Sequence, residues 1–262
     1  MLEVRLFPGL PGGRWARVGP ITGLVEESVD SEDPEGFAIL LDSLLLECAG
    51  TTVGPGRARD LAVCDNDRIA AEVYLREYGN RVESELRCGR CGKDFKVSFP
   101  LEPLIPRDSE IMAPGVEGPD DLGGFKLWKG PRFRLPTLRD QLAVVKLDAE
   151  SARRELLRHC VNRDLDQEEE IAALEKAMER VGPLISGPIT MNCPHCKFVE
   201  RGVEFSMQRF LLEALAFEKR FLHYEVHYLA RAYGWNRGDV LALSKSDRRL
   251  YVGMVLAERA SR

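Results

Sequence analysis

Leu2, Val4 and Leu6 alternate with Glu3 and Arg5 at the head of the chain, the two-residue period of a strand covered on one face. A Gly- and Pro-rich loop follows, PGLPGGRW, then GPITGLVEESV and the acidic loop DSEDPEG. The segment GFAILLDSLLLECAG is apolar on nearly every turn and predicts one buried helix, ended by Gly50. Asp65 or Asp67 can cap a second helix over about residues 67–78, with Gly79 at its end. Alternation returns in RVESELR and DFKVSF, two strands joined by the turn Cys88-Gly89-Arg90-Cys91. Residues 101–125 are rich in Pro, Gly and acids and read as a mobile linker, and FKLWKGPRFRL reads as a hairpin.

Helical periodicity governs most of the remainder. Thr137 begins one helical stretch, Asp148 caps DAESARRELLRHC, and DQEEEIAALEKAMERVG is a solvated helix with acids in its first turn and Lys176 and Arg180 near its end. The strands PITMN and FVERGVEF flank a second turn, Cys193-Pro194-His195-Cys196. Ser206 then opens a long helix to about Tyr233, closed by Gly234, and shorter helices follow near residues 237–242 and 245–259.

The long helix is apolar over more than half its circumference. Phe210, Ala214, Phe217, Phe221, Tyr224 and Tyr228 form one stripe. Leu211, Leu215, Leu222, Val226 and Leu229 form a second, about 100° round. The helix is therefore either central to the core, or it packs one stripe inward and offers the other to a partner chain. On the second reading Glu218, Glu225, Leu222, Tyr228 and Trp235 are candidate partner-binding residues. Glu218 and Glu225 lie between the stripes. If both stripes are covered, each acid is expected to pair with Arg248 or Arg249, or with backbone N–H groups near Asn236, because a buried unpaired carboxylate is costly.

A chain of 262 residues suffices for one large domain or two modest ones. The pattern divides it into an N-terminal α/β part with the first Cys hairpin (1–103), a linker and helical insert (104–186), and a second Cys hairpin with C-terminal helices (187–262). A net charge of −5 weighs against a broad nucleic-acid surface. The start MLEVRLFPG lacks a secretory signal pattern, and FAILLDSLLLECA is too short to span a bilayer, so a cytoplasmic protein is expected. In a reducing compartment paired cysteines more often bind metal than form disulfides.

Cys88, Cys91, Cys193 and Cys196 form two C-x-x-C turns with 101 residues between them. Each turn lets two thiolates face one ion, and four soft ligands suit tetrahedral Zn2+ at about 2.3 Å per sulfur. Gly92 after the first turn suits a positive φ, and Lys197 holds the matching place after the second. Disulfides, unrelated thiol pairs and a four-cysteine iron site are the alternatives. Four protein ligands leave no open position for a catalytic water, which argues for one structural zinc and no active site. Substituting Cys193 is expected to lose much of the fold.

Other constellations carry less. His223 and His227 have the spacing of a two-histidine metal face, but the order HYEVH is not HExxH, and Lys219, Arg220 and Arg231 surround them. His195 inside the second turn reads as a surface residue, and Cys48 as core packing. Cys64 and Cys160 have no partner at ligand spacing, and GLPGG matches no phosphate-cradling loop. The fold class expected is α+β, with zinc-ribbon hairpins bearing two C-x-x-C knuckles beside a mostly helical remainder.

The passage HYLARAYGWNRGDVLALSKSDRRLY resembles the closing segment of small phage tail assembly proteins. GPITGLVEE resembles the opening of the baseplate hub assembly family of T-even-type phages and contractile injection systems. DNDRIAAEVYLREYGNRVESELRCGRCGKDFKVSFPLEPL, RLPTLRDQLAV and ITMNCPHC are similar to further parts of that family, in the same order. The resemblance implies a cytoplasmic, non-enzymatic protein that helps build or joins a baseplate by binding hub or baseplate subunits. The strand and Gly-rich loop of MLEVRLFPGLPGGRWARVGP stand before the family's usual opening. A zinc-ribbon nucleic-acid-binding protein, with Arg90, Lys93, Lys96 and Lys197 on phosphates, is the alternative reading, and an enzyme using His223 and Glu225 a second.

Overall fold

β1 (Leu2–Leu10) pairs antiparallel with β2 (Gly13–Val18), so much of the expected Gly-rich loop belongs to a hairpin. The register shifts between Arg5 and Leu10, and Gly9 takes a φ of 77° inside that irregularity. A bulge with a glycine lets a strand absorb such residues without ending. The computed structural model describes residues 1–11, 13–48, 51–52, 54, 56–107, 114–128, 130–161, 163, 165 and 167–260.

α1 (Gly23–Ser28) is capped by the Thr22 hydroxyl and α2 (Pro34–Leu44) by the Asp33 carboxylate, with Pro34 at the first helical position. The apolar run then leaves the helix. Leu45–Cys48 is strand β3, paired with β2 on one side and β4 (Thr51–Thr52) on the other. The single helix expected here ends early because the open edge of β2 accepts a strand, and pairing there overrides helix propensity. Gly50, its expected end, lies outside the described residues. α3 (Val63–Tyr78) starts one turn before the predicted point and has no side-chain cap. Asp65 and Asp67 are instead buried, with tertiary partners, while Gly79 does end the helix at a φ of 82°.

β5 (Arg81–Arg87) and β6 (Asp94–Pro100) form an antiparallel hairpin in unbroken register from Arg81↔Pro100 to Arg87↔Asp94. The expected linker carries structure of its own: β7 (Val116–Glu117) joins β8 (Gly124–Leu127) and β9 (Arg132–Arg134) in a three-stranded sheet. Residues 108–113 of that stretch lie outside the described residues. α4 (Leu138–Val144) opens with a reciprocal cap between Thr137 and Asp140; α5 (Ala149–Val161) and α6 (Glu168–Val181) follow. α6 is solvated on one side only, since Ile171, Leu174, Ala177 and Val181 are buried. β10 (Ser186–Asn192) and β11 (Val199–Ser206) make a second hairpin. Three helices complete the chain: α7 (Met207–Tyr233), α8 (Arg237–Ala242) and α9 (Lys245–Ala260).

The fold is therefore α+β. Its main core joins β1–β3, α2, α3 and the start of α7, with Phe37, Leu41, Ile69, Val73 and Leu211 fully buried. Val82 of β5 and Phe205 of β11 belong to this core, so both hairpins are rooted in it. A second cluster gathers Phe125, Phe133, Leu157 and Leu174 beneath the three-stranded sheet. A third is far smaller: Cys88, Phe95, Val97 and Cys193, with Leu86, Met191 and Cys196 against them. Among the described residues, no helix is long and apolar enough to cross a membrane.

Candidate metal centre

The rooting of both hairpins in one core brings their far ends together. Cys88 and Cys91 lie in the turn between β5 and β6, Cys193 and Cys196 in the turn between β10 and β11. All four Sγ atoms fall within 4.8 Å of one another. Cys91 Sγ is 3.8 Å from Cys193 Sγ, and Cys88 Sγ is 3.7 Å from Cys196 Sγ. Sulfurs at about 2.3 Å from a tetrahedral centre would stand about 3.8 Å apart. The donor set and its spacing thus fit a closed four-thiolate metal centre. Cys88 and Cys193 are buried, Cys196 half-buried and Cys91 exposed, so the cluster lies at the surface with one side covered.

The two turns are built alike. Cys88 N–H donates to the Lys93 carbonyl, and Gly92 N–H to the Cys88 carbonyl. In the second turn Cys193 N–H donates to Phe198 and Lys197 N–H to Cys193, the same two bonds at the same spacing. Gly92 has a φ of 68° and Lys197 a φ of 59°. The chain enters the left-handed region after each pair of cysteines, and Lys197 does so with a side chain in place.

Contacts between the turns hold them face to face. Gly89 N–H donates to Glu200 of β11 at 3.1 Å, and His195 Nε2 lies 3.3 Å from the Asp94 carbonyl of β6. The Arg90 guanidinium sits over the Phe198 ring at 6.0 Å. His195 is thus an exposed bridge between hairpins and stands outside the sulfur set.

The sulfurs do not share charge evenly. Partial desolvation pushes the Cys193 thiol up, yet N–H groups of Cys196 and His195 and bonds from neighbouring thiols pull it down to about 6. The Phe198 N–H pulls Cys196 down, but burial and its bonds to the other three sulfurs outweigh this and take it to about 11. Four sulfurs this close would all ionise only beside a bound cation. The other cysteines are different: burial pushes Cys64 well up and Cys160 up to about 12, leaving both as inert thiols in the interior.

Between the hairpins a groove of about 420 Å³ runs from the cluster toward α7, lined by Leu86, Val97, Phe99, Ile189, Met191 and Phe205 among others. His223 and His227 belong to no metal-ligating cluster among the described residues.

Of the candidate partner-binding residues, three turn inward. Leu222 is buried. Glu218 pairs with Lys245 at 2.5 Å and Arg249 at 2.7 Å, and accepts from the Tyr78 hydroxyl at 3.1 Å. Glu225 pairs with Arg248 at 2.8 Å. Burial alone would raise the Glu218 carboxyl, but Lys245 and Arg249 bring it below the usual range. The pairing with Arg248 and Arg249 follows the sequence expectation; the backbone near Asn236 takes no part and is occupied by its own capping box with Asp239. Tyr228 and Trp235 stay half-exposed, Tyr228 under the Arg259 guanidinium and Trp235 stacked on Tyr233.

Sequence reasoning missed Glu26, Lys245 and Tyr78 in this network. Arg248, almost fully buried, reaches Glu26 of α1 with its Nη2 and the Leu243 carbonyl with its Nη1. Lys245 Nζ stands 3.8 Å above the Tyr78 ring. Only the run KSDRR at the start of α9, set against the two spaced acids of α7, signalled it in advance.

Compared with family models, with curated proteins and with solved structures, the chain matches none.

Proposed function

We propose that the chain is a zinc-ribbon protein, with one structural Zn2+ held by Cys88, Cys91, Cys193 and Cys196, and that it works without chemistry of its own by binding hub or baseplate subunits during assembly of a phage-type tail or contractile injection system. The observation that carries the metal assignment is the sulfur spacing of 3.7 and 3.8 Å across the two knuckles, which matches the edge of a Zn–S tetrahedron. A bound Zn2+ would neutralise part of the thiolate charge and cross-link the two hairpin tips. All four positions would be taken by protein, so no site is left at which the ion could activate water, and the role is structural.

The assembly half of the proposal rests on the order of the resembling segments, from GPITGLVEE through the Cys turns to the YGW and arginine-rich close. It is supported by an exposed aromatic face on α7. Elemental analysis should find one zinc per chain; iron in its place would overturn the metal identity. Co-expression with the hub and spike subunits of the same particle should yield a complex. The protein's failure to bind any baseplate subunit, together with salt-dependent binding of DNA or RNA through Arg90, Lys93, Lys96 and Lys197, would replace this reading with the nucleic-acid one.

A further inference from the structure

Phe217, Phe221 and Tyr224 recur at helical spacing along one line of α7. They are 58%, 46% and 65% exposed, while Leu211, Leu215, Leu222 and Leu229 on another face of the same helix are buried. A helix with one apolar face in the core has no internal use for a second, and adjacent exposed aromatics are the residues in which binding surfaces are enriched.

Acids do lie beside this stripe, but Glu213, one turn before Phe217, pairs with Arg209, and Glu218 and Glu225 pair with α9, so the charges left over beside it are arginines. The Arg220 guanidinium lies 4.1 Å over the Phe217 ring and 5.9 Å from Phe221. Arg231 lies on the same flank of α7. From the opposite flank, Arg259 of α9 covers Tyr228 at 5.2 Å. None of these three arginines forms an ion pair with a described carboxylate. In a chain of net charge −5 this is a local reversal of sign. A second copy packed on this face would set cations against cations along both flanks. Nucleic-acid bases would find the Phe217 ring already covered by Arg220. An acidic helix meets neither obstacle, since its apolar residues can lie along the stripe and its carboxylates can reach the arginines on either side.

We propose that the Phe217–Phe221–Tyr224 stripe, flanked by Arg220, Arg231 and Arg259, is the docking face for an acidic amphipathic helix of a partner protein. This deepens the assembly reading and rests on it only for the partner's identity.

The test uses the full-length zinc-loaded protein and a synthetic helical peptide with leucines at i, i+4, i+7 and i+11 and glutamates on both flanks. A peptide with lysine for every glutamate is the control. Fluorescence anisotropy should give micromolar binding of the glutamate peptide and at least about tenfold weaker binding of the lysine peptide. Phe221→Ser should weaken the glutamate peptide by at least about tenfold, and the pair Arg220→Glu and Arg231→Glu should invert the preference. Both are surface changes, so circular dichroism should confirm an unchanged fold. Equal binding of the two peptides, or no effect of Phe221→Ser, overturns the proposal. So does a dimer in sedimentation equilibrium that Phe221→Ser disperses, or single-stranded DNA binding abolished by the charge inversion. The same variants in co-expression separate the two readings. Baseplate subunits that bind wild type and Phe221→Ser alike would leave assembly standing and remove this surface. Peptide binding as expected with no baseplate subunit bound would do the reverse.

Discussion

Lys197 and Gly92 are single residues in the same place of two equal turns, with φ of 59° and 68°. A side chain in the left-handed region costs roughly 1–2 kcal/mol, and glycine there costs less, though it enlarges the unfolded ensemble. Lys197→Gly should therefore stabilise the protein by about 0.5–1 kcal/mol, and Gly92→Ala should cost about 1 kcal/mol, both read by urea denaturation with zinc present. No atom stands within 4 Å of a Cβ added at Gly92, so the cost there would be conformational alone.

Asp65 and Asp67 set a pH dependence by the same kind of local accounting. Burial pushes each carboxyl up to about 6, against N–H donors from Gly9 and Phe7 for Asp65, and from Gln208 and Ile185 for Asp67. Their unfolded values lie near 3.9. A raised folded value means that their contribution is fully present below about pH 3.9 and is lost as pH rises through about 6, to the order of 3 kcal/mol each. Asp140, which Arg134 and Thr137 hold at about 2 despite burial, has the opposite sign and loses its contribution only as pH falls toward 2. Stability should thus rise between pH 7 and pH 5. Asp67→Asn should flatten that rise at little cost at pH 7, because the Gln208 amide can turn to match the new one. Asp65→Asn should cost about 1–3 kcal/mol, because its two oxygens face the backbone N–H groups of Phe7 and Gly9, which cannot turn. A stability profile flat from pH 7 to pH 5 in the wild type would refute this account.

Between elements, α9 is held to α1, α3 and α7 by an ion network with equal charges: Glu26, Glu218 and Glu225 against Lys245, Arg248 and Arg249. Burial raises the Glu26 carboxyl although Arg248 opposes it, so this pair is coupled to the rest and is no independent source of stability. Arg248→Met should cost about 3–5 kcal/mol, since it leaves Glu26 and Glu225 without their buried counter-charge. Adding Glu26→Leu should restore part of the loss. Calorimetric midpoints of the two single variants and the double close a cycle, and strict additivity would show the pair to be uncoupled.

Across the molecule as a unit, a metal bound at the four cysteines and the main core would be separate supports. The apolar cluster at the sulfurs is small, and two-stranded hairpins are marginal alone, so the tips would depend on a bound ion. Their roots do not, because Val82 and Phe205 are in the main core. Chelation, or Cys193→Ser, should therefore expose residues 84–97 and 189–203 to rapid hydrogen exchange while helical circular dichroism stays nearly unchanged. That is narrower than the loss of much of the fold that coupling of zinc and folding in small domains suggests. Global unfolding on chelation would show instead that the core cannot stand without the metal.

What could be read along the chain alone is local or periodic. Strict alternation marked β5 and β6, glycines marked the ends of α3 and α7, and the C-x-x-C spacing marked all four members of the sulfur cluster. These signals are legible because the residue that satisfies a nearby backbone or metal requirement is chosen for it. Packing in three dimensions settled the rest. It turned Leu45–Cys48 into a strand, because an open edge of β2 was there to pair with. It drew Asp65 and Asp67 from capping into the interior, because distant N–H groups needed acceptors. It also chose which stripe of α7 is covered. Both stripes are apolar enough to be buried, and only the position of α1, α3 and α9 around the helix leaves the leucines inside and Phe217, Phe221 and Tyr224 open. Burial depends on what lies across a gap in space, and no period along the chain encodes that.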